Sequence, residues 1–168
     1  MEYTDELINT LENNEYSRYD DFPDIELYMD QVLTYLSRET ITLRKEDKLT
    51  SAMVNNYIKD GILPRTKGKK YSREHLVYLM IITRFKQILS VKDTGKLLAN
   101  DMRDMQIDKY YDEFMEMLSV ASDSLIDSVK AQESDSVSRV ALRLATVSYV
   151  NKIACEFLID KMNEDIKE

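Results

Sequence analysis

The 168-residue chain has no tryptophan, one cysteine, one histidine, two prolines and three glycines. Each scarcity removes a class of protein. A lone Cys155 cannot close an internal disulfide, and no charged-then-apolar leader opens the chain, so a reducing, cytoplasmic setting is expected. There is no Cys-x-x-Cys pair and no His-Glu-x-x-His, and the isolated Gly61, Gly68 and Gly95 form no phosphate-binding loop. His75 and Cys155 fall on different expected helices, and nothing singles out a carboxylate pair, so no enzyme, metal or cofactor is expected. The longest apolar run, 76–82, falls far short of the roughly 20 residues of a membrane span.

What remains is a chain with few helix breakers and apolar residues at helical spacing, which predicts an all-α fold with little β structure. Its length suffices for a core without disulfide or metal. Formal net charge is −8, but the charge is segregated. Between Arg44 and Lys92 twelve cations face four anions, a balance of +8 that leaves −16 for the rest of the chain. Such asymmetry points to a basic head with acidic flanks. With screening over about 8 Å at physiological salt, a basic loop still meets a phosphate backbone although the far end is acidic.

The densest local signals lie between Leu49 and Leu89. Thr50 is placed to cap a short helix in which Met53 and Tyr57, and Val54 and Ile58, turn inward. Gly61 and Pro64 end it. Residues 65–71 then hold Gly68 among four cations, as a tight ribbon would, and Ser72 starts a second helix with Leu76, Leu79, Met80, Ile82, Thr83 and Phe85 on its apolar stripe. Left outside on the short helix are Ser51, Asn55, Asn56 and Lys59. Asparagine pairs bidentately with an adenine edge and serine holds a phosphate, so this helix is either a reader of the major groove or a polar surface. Arg65, Lys67, Lys69, Lys70 and Arg73 fit phosphate contacts, which need only charge and reach. The other reading is a solvated basic loop.

This order of parts resembles the winged helix-turn-helix head of MerR-type transcription regulators, with Tyr57 as the recognition-helix aromatic, Gly61-Ile62-Leu63-Pro64 as the turn and Tyr71-Ser72 as the wing exit. Asn55 and Asn56 stand where MerR recognition helices carry an Arg-Tyr pair, so base contacts there are not carried over. More closely, the segments beginning at Pro23, Asn55 and Lys70 are similar to a bacterial family known as domain of unknown function 1836. The MerR resemblance implies a DNA-binding transcriptional regulator. The rival expectation is a protein-interaction module whose basic loop meets an acidic protein surface.

Three regions follow: an acidic arm over 1–22, a head over 23–100 and a helical region over 101–168. The arm is expected to be solvated, or to lie over the basic loop and compete with DNA. A supporting helix should begin at Asp24 with Ile25, Met29, Val32 and Leu36 on one face, and Ile41 and Leu43 should anchor the link behind it. Ser90 should start another helix, with Val91, Thr94, Leu97 and Leu98 inward. If helical, Asp101, Asp104, Asp108 and Asp112 form a solvated acidic stripe. Tyr110, Tyr111 and Phe114 belong to the core or line a sensor cavity. Phe114, Leu118, Ala121, Leu125 and Val129 share a face, and Ser136 should cap a last helix with many small residues from Val137 to Met162. That helix is either the centre of a bundle or half of a homodimer interface.

Overall fold

Three polar side chains do the capping expected of them. Thr50 Oγ1 accepts from the Met53 amide at 3.3 Å, Ser90 Oγ from the Asp93 amide at 3.0 Å and Ser136 Oγ from the Arg139 amide at 3.3 Å. Each satisfies one of the amides that a helix start leaves without an intrahelical partner. A computed structural model describes residues 2–13, 17–39, 48–102, 105–132 and 135–164. Their helices are α1 (Glu2–Glu12), α2 (Met29–Glu39), α3 (Ser51–Lys59), α4 (Arg73–Phe85), α5 (Val91–Asp101), α6 (Ile107–Lys130) and α7 (Val137–Glu164), with a short 3-10 turn at Tyr19–Asp21. The fold is all-α apart from one small open sheet. In it β1 (Leu27–Tyr28) runs antiparallel to β2 (Lys70–Tyr71), Leu27 opposite Tyr71 and Tyr28 opposite Lys70.

The core forms around α4. From His75 through Thr83 every α4 residue except Tyr78 is buried. Such a helix must be enclosed, and α2, α5, α6 and β2 all pack on it. Val32 and Leu36 enter from α2, Val54 and Tyr57 from α3, Leu98 from α5, and Tyr110, Tyr111, Phe114 and Met115 from the first half of α6. Phe22 closes the cluster edge-on to Tyr111 at 5.1 Å. Tyr110, Tyr111 and Phe114 are therefore core residues.

Several expectations need correction. The helix expected from Asp24 begins at Met29, because Leu27 and Tyr28 pair with β2 and the Tyr28 amide donates to Gln31 Oε1 at 2.9 Å, half of a capping box. Ile25 consequently lies on the surface. The acidic arm is not simply solvated: α1 packs on α6, where Lys130 meets Glu12 at 3.0 Å. Asp101 and Asp108 lie on different helices, so the four-residue acidic stripe does not form. On α6 Ala121 is exposed, and Ile126, outside the expected set, is buried. Among the described side chains of α7, Val140 and Ile159 are the buried ones, and Val137, Ala141, Ala145, Val147, Ala154 and Leu158 are exposed. Ile41, Leu43, Arg44, Lys45 and Asp104 lie outside the described residues. No helix among the described residues is long and apolar enough to cross a membrane.

Burial also sets an alkaline limit. The Tyr35 phenol is pushed up to about 12 from an ordinary 10.0, by burial first and then by Glu39 and Asp21. Burial likewise raises Tyr110, next to Asp101, and Tyr111. These groups are neutral in both states below the unfolded value, so they impose no pH dependence there. Above it the unfolded chain releases protons that the folded chain keeps, and stability falls as pH rises. The urea midpoint should decline between about pH 10 and pH 12, with tyrosinate absorbance appearing as the chain unfolds. Full tyrosinate absorbance in a still-folded protein would contradict this.

Candidate nucleic-acid interface

Helix α3 turns Val54 and Tyr57 into the core, with Met53 and Ile58 half-buried. This leaves Ser51, Asn55 and Lys59 at i, i+4 and i+8 on an exposed strip, and Asn56 exposed beside it. The end of α3 is fixed by a double backbone clasp. The Ile62 amide donates to the Tyr57 carbonyl at 2.9 Å and the Gly61 amide to the Ile58 carbonyl at 3.2 Å, a Schellman motif with Gly61 at φ +73°. Leu63 then plugs the core. Ile62 lies so close to α5 that a Cβ on Gly95 would come within 2.8 Å of its Cγ1. Gly95, an unfavourable residue inside a helix, thus permits α5 to sit against this turn.

The basic segment is a tight hairpin. Lys67 and Lys70 form an antiparallel bridge across Gly68 and Lys69, and Gly68 takes φ +74°, the left-handed conformation that a two-residue loop with glycine first requires. The Thr66 hydroxyl donates to the Gly68 carbonyl at 3.0 Å. Lys70 pairs on both sides, with Lys67 across the hairpin and with Tyr28 of β1. There the Lys70 ammonium lies 5.5 Å over the ring of Tyr28, an exposed residue that no periodicity marks as part of this surface. Tyr71 is buried, and Ser72 leads into α4 with its amide donating to His75 Nδ1 at 3.2 Å. His75 is thereby a buried capping residue whose Nε2 has no hydrogen-bond partner among the described residues.

Electrostatically the site divides in two. Lys59, Arg65, Lys67, Lys69 and Lys70 are exposed and make no ion pair with any described residue. Arg73 differs from them. Its guanidinium stacks 5.2 Å over Tyr19 and lies 3.6 Å from Asp20, so the residues ahead of β1 hold the one cation nearest the hairpin exit. No sequence signal links Tyr19 or Asp20 to Arg73, which lies more than fifty positions away. No group of three or more potential metal ligands occurs among the described residues.

A family model described as "Domain of unknown function (DUF1836)" matches residues 17–114. The match starts just before the 3-10 turn that carries Tyr19 and Asp20 and ends within the part of α6 that packs on α4. No curated protein and no solved structure matches the chain.

The two special glycines act differently on stability. At Gly61 nothing lies within 4 Å of an added Cβ, so Gly61→Ala should cost about 1–2 kcal/mol from backbone conformation alone. At Gly95 the crowding is steric, and Gly95→Val should cost about 1–3 kcal/mol, relieved in part by Ile62→Ala. Urea unfolding of Gly61→Ala, Gly95→Val and Ile62→Ala singly and of the Gly95→Val/Ile62→Ala pair measures this. Absence of coupling in the pair would contradict the assigned contact.

Proposed function

The chain belongs to the DUF1836 family, whose match takes in α3, the hairpin and α4 together, and we propose that this unit is a DNA-binding head of a transcriptional regulator. In this reading it works as a MerR-like winged helix-turn-helix. Helix α3 reads the major groove, the hairpin 65–71 is the wing, and α2 supports α3 from behind. The observation that carries the reading is the set of five exposed cations, Lys59, Arg65, Lys67, Lys69 and Lys70, left without carboxylate partners among the described residues of a chain with 31 acids. Desolvated against phosphate, such groups release counterions and supply affinity whatever the sequence. Asn55 and Asn56, exposed on a helix whose end is clasped, supply the donor and acceptor pair that an adenine edge accepts.

The net charge of −8 favours a second reading, in which the same hairpin docks on an acidic protein surface. The two readings differ in salt response and in sequence preference. Replacing Lys67, Lys69 and Lys70 together by Ala should weaken binding to every duplex and reduce the slope of log K against log salt by roughly 0.9 per lost phosphate contact. Asn55→Ala or Asn56→Ala should instead change which sequences are preferred, with little effect on the slope. Unchanged duplex binding by the lysine triple variant would remove the wing from the account.

Contacts at Arg73 give a further test. Deleting residues 1–22 would remove core Phe22 along with the acidic residues, so a point change separates the two effects. Asp20→Ala should leave stability within about 1 kcal/mol, because the Asp20 side chain is 97% exposed. It should nevertheless tighten duplex binding at low salt by freeing Arg73. Fluorescence anisotropy on a labelled duplex checks this, and an unchanged affinity would mean that Arg73 is not used.

A further inference from the structure

Helix α7 is apolar on two opposite sides. Its inner side carries buried Val140 and Ile159 with partly buried Leu144, Cys155 and Met162, and it rests on α5. The outer side carries Leu142, Tyr149, Val150, Ile153 and Phe157, each between 48% and 66% exposed. Together with Thr146, positions 142, 146, 149, 153 and 157 recur at spacings of four and three, which keeps them on one line along the helix. A helix apolar all round is normally enclosed, yet the described residues cover only one side. Leu142, Tyr149, Val150, Ile153 and Phe157 thus form one continuous exposed apolar patch rather than scattered single residues, the kind of patch that marks an interaction site.

We propose that this face pairs with the same face of a second copy of the chain, the two α7 helices lying antiparallel about a two-fold axis between Tyr149 and Val150. The sequence is self-complementary in that register. Residues at the same height are then Leu142 with Phe157, Thr146 with Ile153 and Tyr149 with Val150 of the other copy, so apolar groups meet along the seam everywhere but at Thr146. At its two ends Arg139 comes to the height of Asp160 of the other copy. Asp160 has a partner within its own copy, Lys96, but its side chain stays 74% exposed and can be shared across the seam. A parallel pairing would set Arg139 on Arg139 and Asp160 on Asp160. An isologous contact of this kind closes on itself and leaves no open face for further growth. It is independent of DNA binding by the head.

Sedimentation equilibrium on the full chain should give twice the 19.7 kDa chain mass. Ile153→Asp should raise the dissociation constant by at least tenfold with unchanged helical circular dichroism, and Val150→Lys serves in its place if that variant misfolds. For the register, Cys155→Ser provides a background without thiols. In it Tyr149→Cys, beside the axis, should cross-link to itself on oxidation. Leu142→Cys, about 22 Å from its mate at 1.5 Å per residue, should not. Leu142→Cys should cross-link when mixed with Phe157→Cys. A monomer at every concentration, a dimer indifferent to Ile153→Asp, or efficient self-cross-linking of Leu142→Cys would overturn the proposal.

Discussion

The enclosure of α4 is the constraint on which the rest depends. Leu76, Val77, Leu79, Met80, Ile81 and Ile82 have no accessible surface, and each such side chain contributes on the order of 1.5–3 kcal/mol when buried. A helix apolar on nearly every side cannot sit on a surface, so α2, α5, α6 and β2 are placed by the need to surround it. Because β2 runs directly into α4 through Tyr71 and Ser72, that need also fixes where the hairpin emerges. On the other side of the hairpin, Leu63 plugs the core and the Schellman clasp ends α3. Both ends of the basic segment are anchored, and its cations are displayed from a held frame.

The contrast between frame and display is what the functional reading uses. Inside, polar groups are few: His75, Thr83 and Thr94 are the buried ones among the described residues. Outside, acids of this chain hold Arg73, Lys96, Lys130, Arg143 and Lys152 in ion pairs, and the hairpin cations belong to those that have no such partner among the described residues. In the proposed DNA-binding role, an acidic body would repel a polyanion at long range and favour approaches that lead with the hairpin. Orientation then follows from charge as well as shape.

Local signals were legible in the sequence wherever a single residue type does a specific job. Thr50, Ser90 and Ser136 as caps, Gly61 as a stop and Gly68 as a turn residue all depend on chemistry within four positions. The apolar stripe of α4 was readable for the same reason. What escaped was non-local. A strand of two residues such as Leu27–Tyr28 has no period to detect, and its existence depends on Lys70–Tyr71 more than forty positions away. Leu7, Ile8 and Leu11 are too few to mark α1 as packed until α6 supplies the other side. The acidic residues at 101, 108 and 112 keep helical spacing across a break between α5 and α6, so periodicity alone misjoined them. The candidate interface follows the same rule: exposure of Ser51, Asn55, Asn56 and Lys59 was readable from the helix pattern, but the engagement of Arg73 by Tyr19 and Asp20 was not.

The most direct test of the account is selection of binding sites from random DNA duplexes by the full chain at two salt concentrations. A DNA-reading head predicts enrichment of a defined motif, retained at low salt and lost steeply as salt rises. Recovery of unenriched sequence at low salt, where electrostatic attraction is strongest, would contradict it and turn the hairpin toward an acidic protein surface.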